Sequence, residues 1–310
     1  MIVNHVMSSD AVSGIFEDIM NYFKTYASQD DEIIVSNKPV DNADIYHYHR
    51  PHLEKELKPN SICTVHHDLD ETDHWLDYEK FHNIYQSSQL VVCLNSNQVN
   101  YLKNRGIEHT VVIPHGYNDG VFNKSSSINM LKKKEKITLG VIAKRYGRKV
   151  KGEEYLYELA KKIDANVFDF ILVGDGRSID AKILRDYGFN VTLYEYLPYR
   201  IFGSLYREID ALLMLSLHEG GPANIPEAVV TGTPIIGNDI GMVSDYVING
   251  YNGYLLSSDL NDDLVIFDEL KNNIQRLKTN SFHVRSKAKT WKNIVDIHFQ
   301  EYSKVIEAGK

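Results

Sequence analysis

Two carboxylates, Glu219 and Glu227, stand on either side of a Gly-Gly turn in the segment His218-Glu219-Gly220-Gly221-Pro222-Ala223-Asn224-Ile225-Pro226-Glu227-Ala228. An apolar run ending near Leu215 precedes the turn and a helical pattern follows it. Helix N-termini leave backbone N–H groups unpaired and carry partial positive charge, so the amides of Ala223, Asn224 and Ile225 could hold a phosphate there. Pro226 is compatible with this, because in the first helical turn its missing N–H costs nothing. Glu219 before the turn and Glu227 one turn into the helix suit the hydroxyls of a sugar and of a ribose. The same pattern, taken alone, is also that of an ordinary strand-to-helix crossover with a solvated carboxylate at each end.

Histidines are the second group with chemical potential. Ten of the thirteen precede residue 120, and His47 and His49 would share one face of a strand. No compact set of three or four ligands with Asp, Cys or His at familiar spacing completes a site, so neither a structural nor a catalytic metal is expected. His66 and His67 end an apolar strand and are followed by Asp68, at a strand edge where doubly wound folds bind ligands.

The elements that must position these residues alternate along the chain. Met1–Val6, Glu32–Ser36, Asp44–His49, Ser61–His66, Leu90–Leu94 and Thr110–Ile113 read as strands, with helical patterns such as 13–26, 78–86 and 98–104 between them. Such interleaving predicts a parallel, doubly wound α/β sheet. Residues 118–136 are rich in Asn, Ser and Lys and lack a sustained apolar period, as a linker would. A second sheet is expected from Ile137–Ala143, Phe168–Val173, Val191–Leu193, Ala211–Leu215 and Pro234–Ile236. From Ser286 onward the pattern is helical, with Trp291, Ile294, Val295 and His298 on one face.

A chain of 310 residues accommodates two such domains. The formal net charge is -8 and is unevenly placed: 9 Lys and Arg oppose 18 Asp and Glu up to Lys124, then 25 oppose 24. An acidic first half argues against docking on nucleic acid or an anionic lipid surface. No run approaches the length needed to span a bilayer, and residues 1–10 do not resemble a signal peptide. Cys63 and Cys93 lie in apolar strands and read as buried free thiols in a reducing cytosol.

The segment from Tyr196 to Leu255 resembles the donor lobe of the retaining family 4 glycosyltransferases, which have the GT-B fold. In that family two Glu separated by seven residues flank a Gly-containing turn, as Glu219 and Glu227 do. Leu172-Val173-Gly174-Asp175-Gly176 is similar to its glycine-rich strand end, Ala228 to Pro234 to its "EA...GTP" continuation, and Asn249 to Leu255 to its closing motif. Val112 to Asn118 resembles the segment that ends the family's first lobe. Lys151-Gly152 matches its pyrophosphate-binding Lys-Gly, while the accompanying Arg is Arg145 or Arg148. A forked donor and a point charge are what two adjacent phosphates require.

The resemblance implies two Rossmann-like domains facing a central cleft: an acceptor domain over 1–120 joined by a returning helix over 286–310, a linker over 121–136 and a donor domain over 137–285. It further implies transfer of a sugar from a UDP- or GDP-sugar to an acceptor hydroxyl with retained configuration. No cofactor or metal is implied, and the expected partners are the nucleotide sugar and a carbohydrate or lipid-linked acceptor. The setting is cytoplasmic, with peripheral membrane contact open, no nucleic acid and no stated oligomer. Glu219 with His66 or His67 would contact the transferred sugar; Gly14, Arg145, Lys151, Gly174, Gly220, Gly221, the three helix-start amides and Glu227 would line the donor, with backbone at Tyr196 and Leu197 near the base. Departures from the pattern are Gly221 for a common Phe, Gly241-Met242-Val243-Ser244-Asp245 for a usual Gly-Gly-x-x-Glu, and a single Gly in the first βα turn. A sugar-nucleotide epimerase of the same fold and a non-catalytic partner subunit are the alternatives; retention of Lys151, Glu219 and Glu227 disfavours the second.

Overall fold

The computed structural model describes residues 1–7, 14–122, 135–147 and 150–309. The chain divides into two compact units, Met1–Gly116 with Lys289–Lys310, and Tyr117–Ala288. Most of the expected linker, 123–134, lies outside the described residues. Tyr117 and Phe122, before it, are core residues of the second unit.

The first unit holds strands β1 (Ile2–Val6), β2 (Glu32–Ser36), β3 (Ile45–Tyr48), β4 (Ser61–Val65), β5 (Leu90–Cys93) and β6 (Thr110–Val112). They pair in parallel in the order β2-β1-β3-β4-β5-β6. β3 and β4 are buried at every position, which is why they read as continuous apolar runs rather than alternating ones. Helix α1 (Gly14–Tyr26) and the C-terminal helix Trp291–Ala308 cover one face, packing Phe16, Ile19, Phe23, Trp291, Ile294, Val295 and Tyr302 over Val3 and Ile62. The C-terminal helix starts behind a capping box made by Thr290 and Asn293. Each large apolar side chain it buries is worth about 1.5 to 3 kcal/mol, which ties this last segment to the first unit. Helices α2 (Glu79–Ser87) and α3 (Ser96–Lys103) lie on the opposite side, with Phe81, Tyr85 and Leu102 on Tyr48, Cys63 and Val91. Both cysteines are free and buried.

In the second unit β7 (Ile137–Ile142), β8 (Phe168–Val173), β9 (Val191–Tyr194), β10 (Ala211–Met214), β11 (Ile235–Asn238) and β12 (Gly253–Leu256) form a parallel sheet ordered β12-β11-β10-β7-β8-β9. Helices α4 (Glu153–Ala160), α5 (Ser178–Asp186) and α9 (Leu260–Val284) supply the core on one face. Helices α6 (Phe202–Glu208), α7 (Asn224–Thr231) and α8 (Val243–Tyr246) supply it on the other. Five strands are expected from the sequence and six are found. β12 escapes because it begins on Gly253, a residue that weakens a strand pattern but is needed where a Cβ would come within 2.1 Å of the Ile235 carbonyl oxygen. The strand order reverses between β7 and β10, the topological switch point at which open α/β sheets bind ligands beyond the strand ends. Among the described residues, no helix is long and apolar enough to cross a membrane.

Candidate active site

Two loops leave the switch point of the second unit, one after β7 and one after β10, and they are locked together. The Leu217 amide donates to the Val150 carbonyl at 2.8 Å. Gly152, at φ +75°, lies so close to the second loop that a Cβ would sit 2.0 Å from the Leu215 carbonyl oxygen, so only glycine fits. Asn238, on β11, donates from Nδ2 to the Leu215 and Ser216 carbonyls at 3.2 and 2.9 Å. Gly241, at φ +52°, packs against the Glu219 backbone, where a Cβ would be 3.0 Å from its oxygen. These constraints bring Lys151 to Glu219: Nζ and Oε1 form an ion pair, and each side chain is 14% exposed. The ammonium also lies 5.5 Å from the centre of the Tyr146 ring.

Buried Gly220 and half-buried Gly221 carry the chain from Glu219 into α7. Asn224 fixes the helix start by donating from Nδ2 to the Ile142 carbonyl at 3.0 Å, which ties α7 to the end of β7. The expectation of three free amides needs correction. Ile225 N–H already donates to the Pro222 carbonyl at 3.2 Å, because the turn before Pro226 closes on itself, and Ala223 and Asn224 remain as the amides of this helix start able to meet an anion. Glu227 is 4% exposed and accepts hydrogen bonds from Tyr199 at 2.8 Å and Tyr206 at 3.0 Å. Burial pushes its carboxyl up to about 7, against the lowering effect of the two phenol donors.

After β8, Gly174 adopts φ +137°, and a Cβ there would meet the Ala143 carbonyl oxygen at 2.4 Å. This close approach aims the next residues inward. Arg177 is fully buried; it donates from Nε to Ala143 at 2.8 Å and from Nη1 to Asp180 at 2.7 Å, with Glu153 at 3.6 Å. Arg145 is held to the same Asp180 at 3.3 Å, and a hydrogen bond with Tyr157 raises its pKa. Arg148, the other candidate, lies outside the described residues. The Tyr196 ring is 83% exposed, while Leu197 packs at the edge of the core. Sequence reasoning missed Arg177, Asp180, Tyr199 and Tyr206; the only local signal was the charged residue directly after Gly174-Asp175-Gly176.

In the first unit Gly14 opens α1, directly after residues 8–13, which lie outside those described. His66 and His67 follow β4 and turn to opposite faces. His66 Nε2 is 2.9 Å from His49 Nδ1, and its ring packs edge-on against Phe16 of α1. His67 lies against Phe81 of α2 with ring centres 4.4 Å apart, and its Nε2 has no partner among the described residues. Burial lowers both pKa values, that of His67 to about 4. A partly open pocket lies beside His66, lined by His47, His49, His115 and His298 among others.

Two doubly wound units, the second with glycine-constrained loops, a Lys-Glu pair and a helix start at its switch point, define a two-domain α/β protein of the GT-B type. The family described as glycosyl transferases group 1 matches residues 123–289, just over half of the chain, and the chain belongs to that family. Over 137 residues it is 28% identical to a Klebsiella pneumoniae protein described as an uncharacterized 41.2 kDa protein in the cps region, an overlap covering 44% of this chain and 37% of that one. An uncharacterized glycosyltransferase of Methanocaldococcus jannaschii is 25% identical over 184 residues, covering 57% of this chain and 48% of that one. The chain spans less than half the length of either relative. Among solved structures, sucrose-phosphate synthase from Thermosynechococcus elongatus matches with a TM-score of 0.77 at 15% identity, covering 99% of this chain and 100% of that one. Anabaena HepE in complex with UDP and glucose matches with a TM-score of 0.73 at 15% identity, covering 98% and 100%. At that identity the likeness establishes the fold.

Proposed function

We propose that the chain is a retaining glycosyltransferase that moves a sugar from a UDP- or GDP-sugar to an acceptor hydroxyl in polysaccharide or glycoconjugate synthesis. The observation that carries this reading is the meeting of Lys151 and Glu219 at the switch point of the second unit. Without donor the two charges neutralise each other. With donor, Lys151 moves its charge to the diphosphate and Glu219 accepts from sugar hydroxyls, while Arg145 and the Ala223 and Asn224 amides complete the phosphate grip. Glu227 takes the ribose hydroxyls, and backbone at Tyr196 and Leu197 borders the base. Anabaena HepE, of the same fold, is described with UDP and with UDP-glucose, which supports a uridine nucleotide as the first to try.

In this mechanism the acceptor attacks the anomeric carbon on the face that the diphosphate leaves, and a leaving-group oxygen takes the acceptor proton. Lys151 and the arginine supply the positive charge that a metal ion would otherwise provide, so the transfer needs none. His66, rather than His67 against Phe81, is the histidine we assign to a sugar hydroxyl. A carbohydrate or lipid-linked acceptor in the cytoplasm, reached at the membrane surface where it is lipid-linked, completes the reading. Calorimetric titration with UDP and GDP in the presence of a chelator tests the donor site: one nucleotide should bind, and no binding of either would refute the proposal.

A further inference from the structure

His66 terminates a line of imidazoles. His5 Nδ1 is 2.9 Å from His49 Nε2, and His49 Nδ1 is 2.9 Å from His66 Nε2. His5, on β1, is 0% exposed and packs on Phe23, with ring centres 4.4 Å apart, and His49, just past β3, is 3% exposed. Burial lowers the pKa of all three, so each ring carries one N–H and one lone pair at neutral pH. Only two arrangements of these three protons satisfy both hydrogen bonds. In one, every N–H points toward His66, and the atom left without a partner is the bare lone pair of His5 Nε2. In the other, every N–H points toward His5, and the orphan is an N–H at His5 Nε2.

His5 Nε2 is buried and has no partner among the described residues. Buried N–H groups left without an acceptor are rarer in folded proteins than buried acceptors left without a donor, which favours the first arrangement. We propose that His5 and His49 are positioning residues for the transfer step: the line they form keeps the His66 proton on Nδ1, making that atom a hydrogen-bond donor to a sugar hydroxyl. The sugar contact rests on the function proposed above; the direction of the line does not. Ligand atoms of His5, His47 and His49 also lie within 4.8 Å of one another, close enough to suggest a metal site. Against that, both His47 nitrogens are taken, by the Tyr302 hydroxyl at 2.7 Å and the Thr64 hydroxyl at 2.6 Å. The 2.9 Å spacing of His5 and His49 is also shorter than the roughly 3.3 Å between two nitrogens held at about 2.0 to 2.1 Å by one tetrahedral ion.

The test is the tautomer of His66, read by nitrogen NMR on the full chain with labelled histidine and assigned by loss of its signal in His66→Gln. Wild-type protein should show Nδ1 protonated and Nε2 bare, and His49→Leu, which ends the line, should shift His66 toward protonated Nε2. A wild-type His66 protonated on Nε2 overturns the proposal, as does a cobalt(II) d–d spectrum that disappears in His49→Leu. Once a donor sugar is identified, His49→Leu and His5→Phe should each lower kcat about tenfold, the worth of one oriented hydrogen bond, with nucleotide affinity unchanged. Unchanged kcat in both folded variants also overturns it. If no nucleotide sugar is turned over by wild-type protein, the function proposal fails while the NMR result still decides the direction of the line.

Discussion

In the first unit His5, His47, His49 and His298 are buried and His66 and His67 half-buried, and desolvation lowers the pKa of all six, so they enter the fold without charge. In the second unit Arg177, Asp180 and Glu153 are buried together, with opposite charges in contact, and Lys151 pairs with Glu219 nearby. One unit discards charge on burial and the other balances it. The proposed function accounts for the difference: a site for a diphosphate would need fixed positive charge at the ready, whereas a layer of neutral imidazoles offers directional hydrogen bonds without one.

Acid breaks the comparison most severely. Each of the six imidazoles binds a proton more weakly folded than unfolded, so stability is full above the unfolded value of about 6.5 and falls as pH drops below it. The loss continues toward the folded values, about 4 for His67 and His298 and about 3 for His49. At about 1.4 kcal/mol per pH unit, His49, His67 and His298 alone lose roughly 8 kcal/mol over the two units below 6.5, comparable with a typical domain stability, and the other three act in the same direction. We expect the first unit to unfold by about pH 4.5. Both tryptophans, Trp75 and Trp291, lie in that unit, so tryptophan fluorescence reports it alone. A fluorescence signal flat down to pH 4 would contradict the neutral histidine layer.

Arg177→Met should act on the other side. Removing the guanidinium leaves Glu153 buried without its counter-charge and Asp180 with only the 3.3 Å contact to Arg145, a loss of about 3 kcal/mol, the low end for breaking a buried pair. Calorimetry should show a lowered transition for the second unit while the tryptophan transition stays in place; a shared shift would mean that the units do not unfold separately.

Glu227 runs against the rest. Its carboxyl value of about 7 lies above the ordinary 4.5, so its contribution is full below about 4.5 and is lost as pH rises to about 7, roughly 3 kcal/mol in all. Glu227→Gln should therefore stabilise the second unit at pH 8 by up to that amount and weaken nucleotide binding about tenfold. Wild-type affinity should rise as pH passes through about 7, because ribose hydroxyls need the ionised acceptor, and the variant's affinity should be flat. A variant that binds as tightly as wild type at pH 8 would remove Glu227 from the ribose site. Lys151→Ala, which takes away one charge-assisted contact of about 1.5 to 3 kcal/mol, should weaken the nucleotide ten- to hundredfold with little change in either unfolding transition.

What the sequence revealed of this arrangement is what lies close along the chain. Gly152 and Gly174 stand where the backbone approaches too closely for any side chain, Gly241 adopts a positive φ, and as glycines they mark the loops of Lys151 and Glu219 in the sequence itself. The partners of Glu227 could not be read, since Tyr199 and Tyr206 stand 28 and 21 residues away and reach it only once α6 and the turn just before it lie beside α7. The histidine line is hidden for a related reason. His47 and His49 share a face by strand period, but His5 joins them only because β1 pairs with β3, opposite His47, and His298 arrives from the far end of the chain. The bond made by the Ile225 amide is equally hidden, because a turn's internal hydrogen bond depends on backbone angles that residue types do not specify.

On the proposed function, the second unit grips a nucleotide sugar through Lys151 and Glu219 without help from a metal ion. Wild-type protein, Lys151→Ala and Glu219→Gln can be incubated with UDP- and GDP-sugars in excess EDTA, with products identified by mass spectrometry and the new linkage by NMR. Wild-type protein is expected to release a nucleoside diphosphate and to transfer the sugar with its anomeric configuration retained, and both variants to lose most of that turnover. Turnover that disappears in EDTA and returns with one divalent ion, or that survives unchanged in both variants, would contradict it.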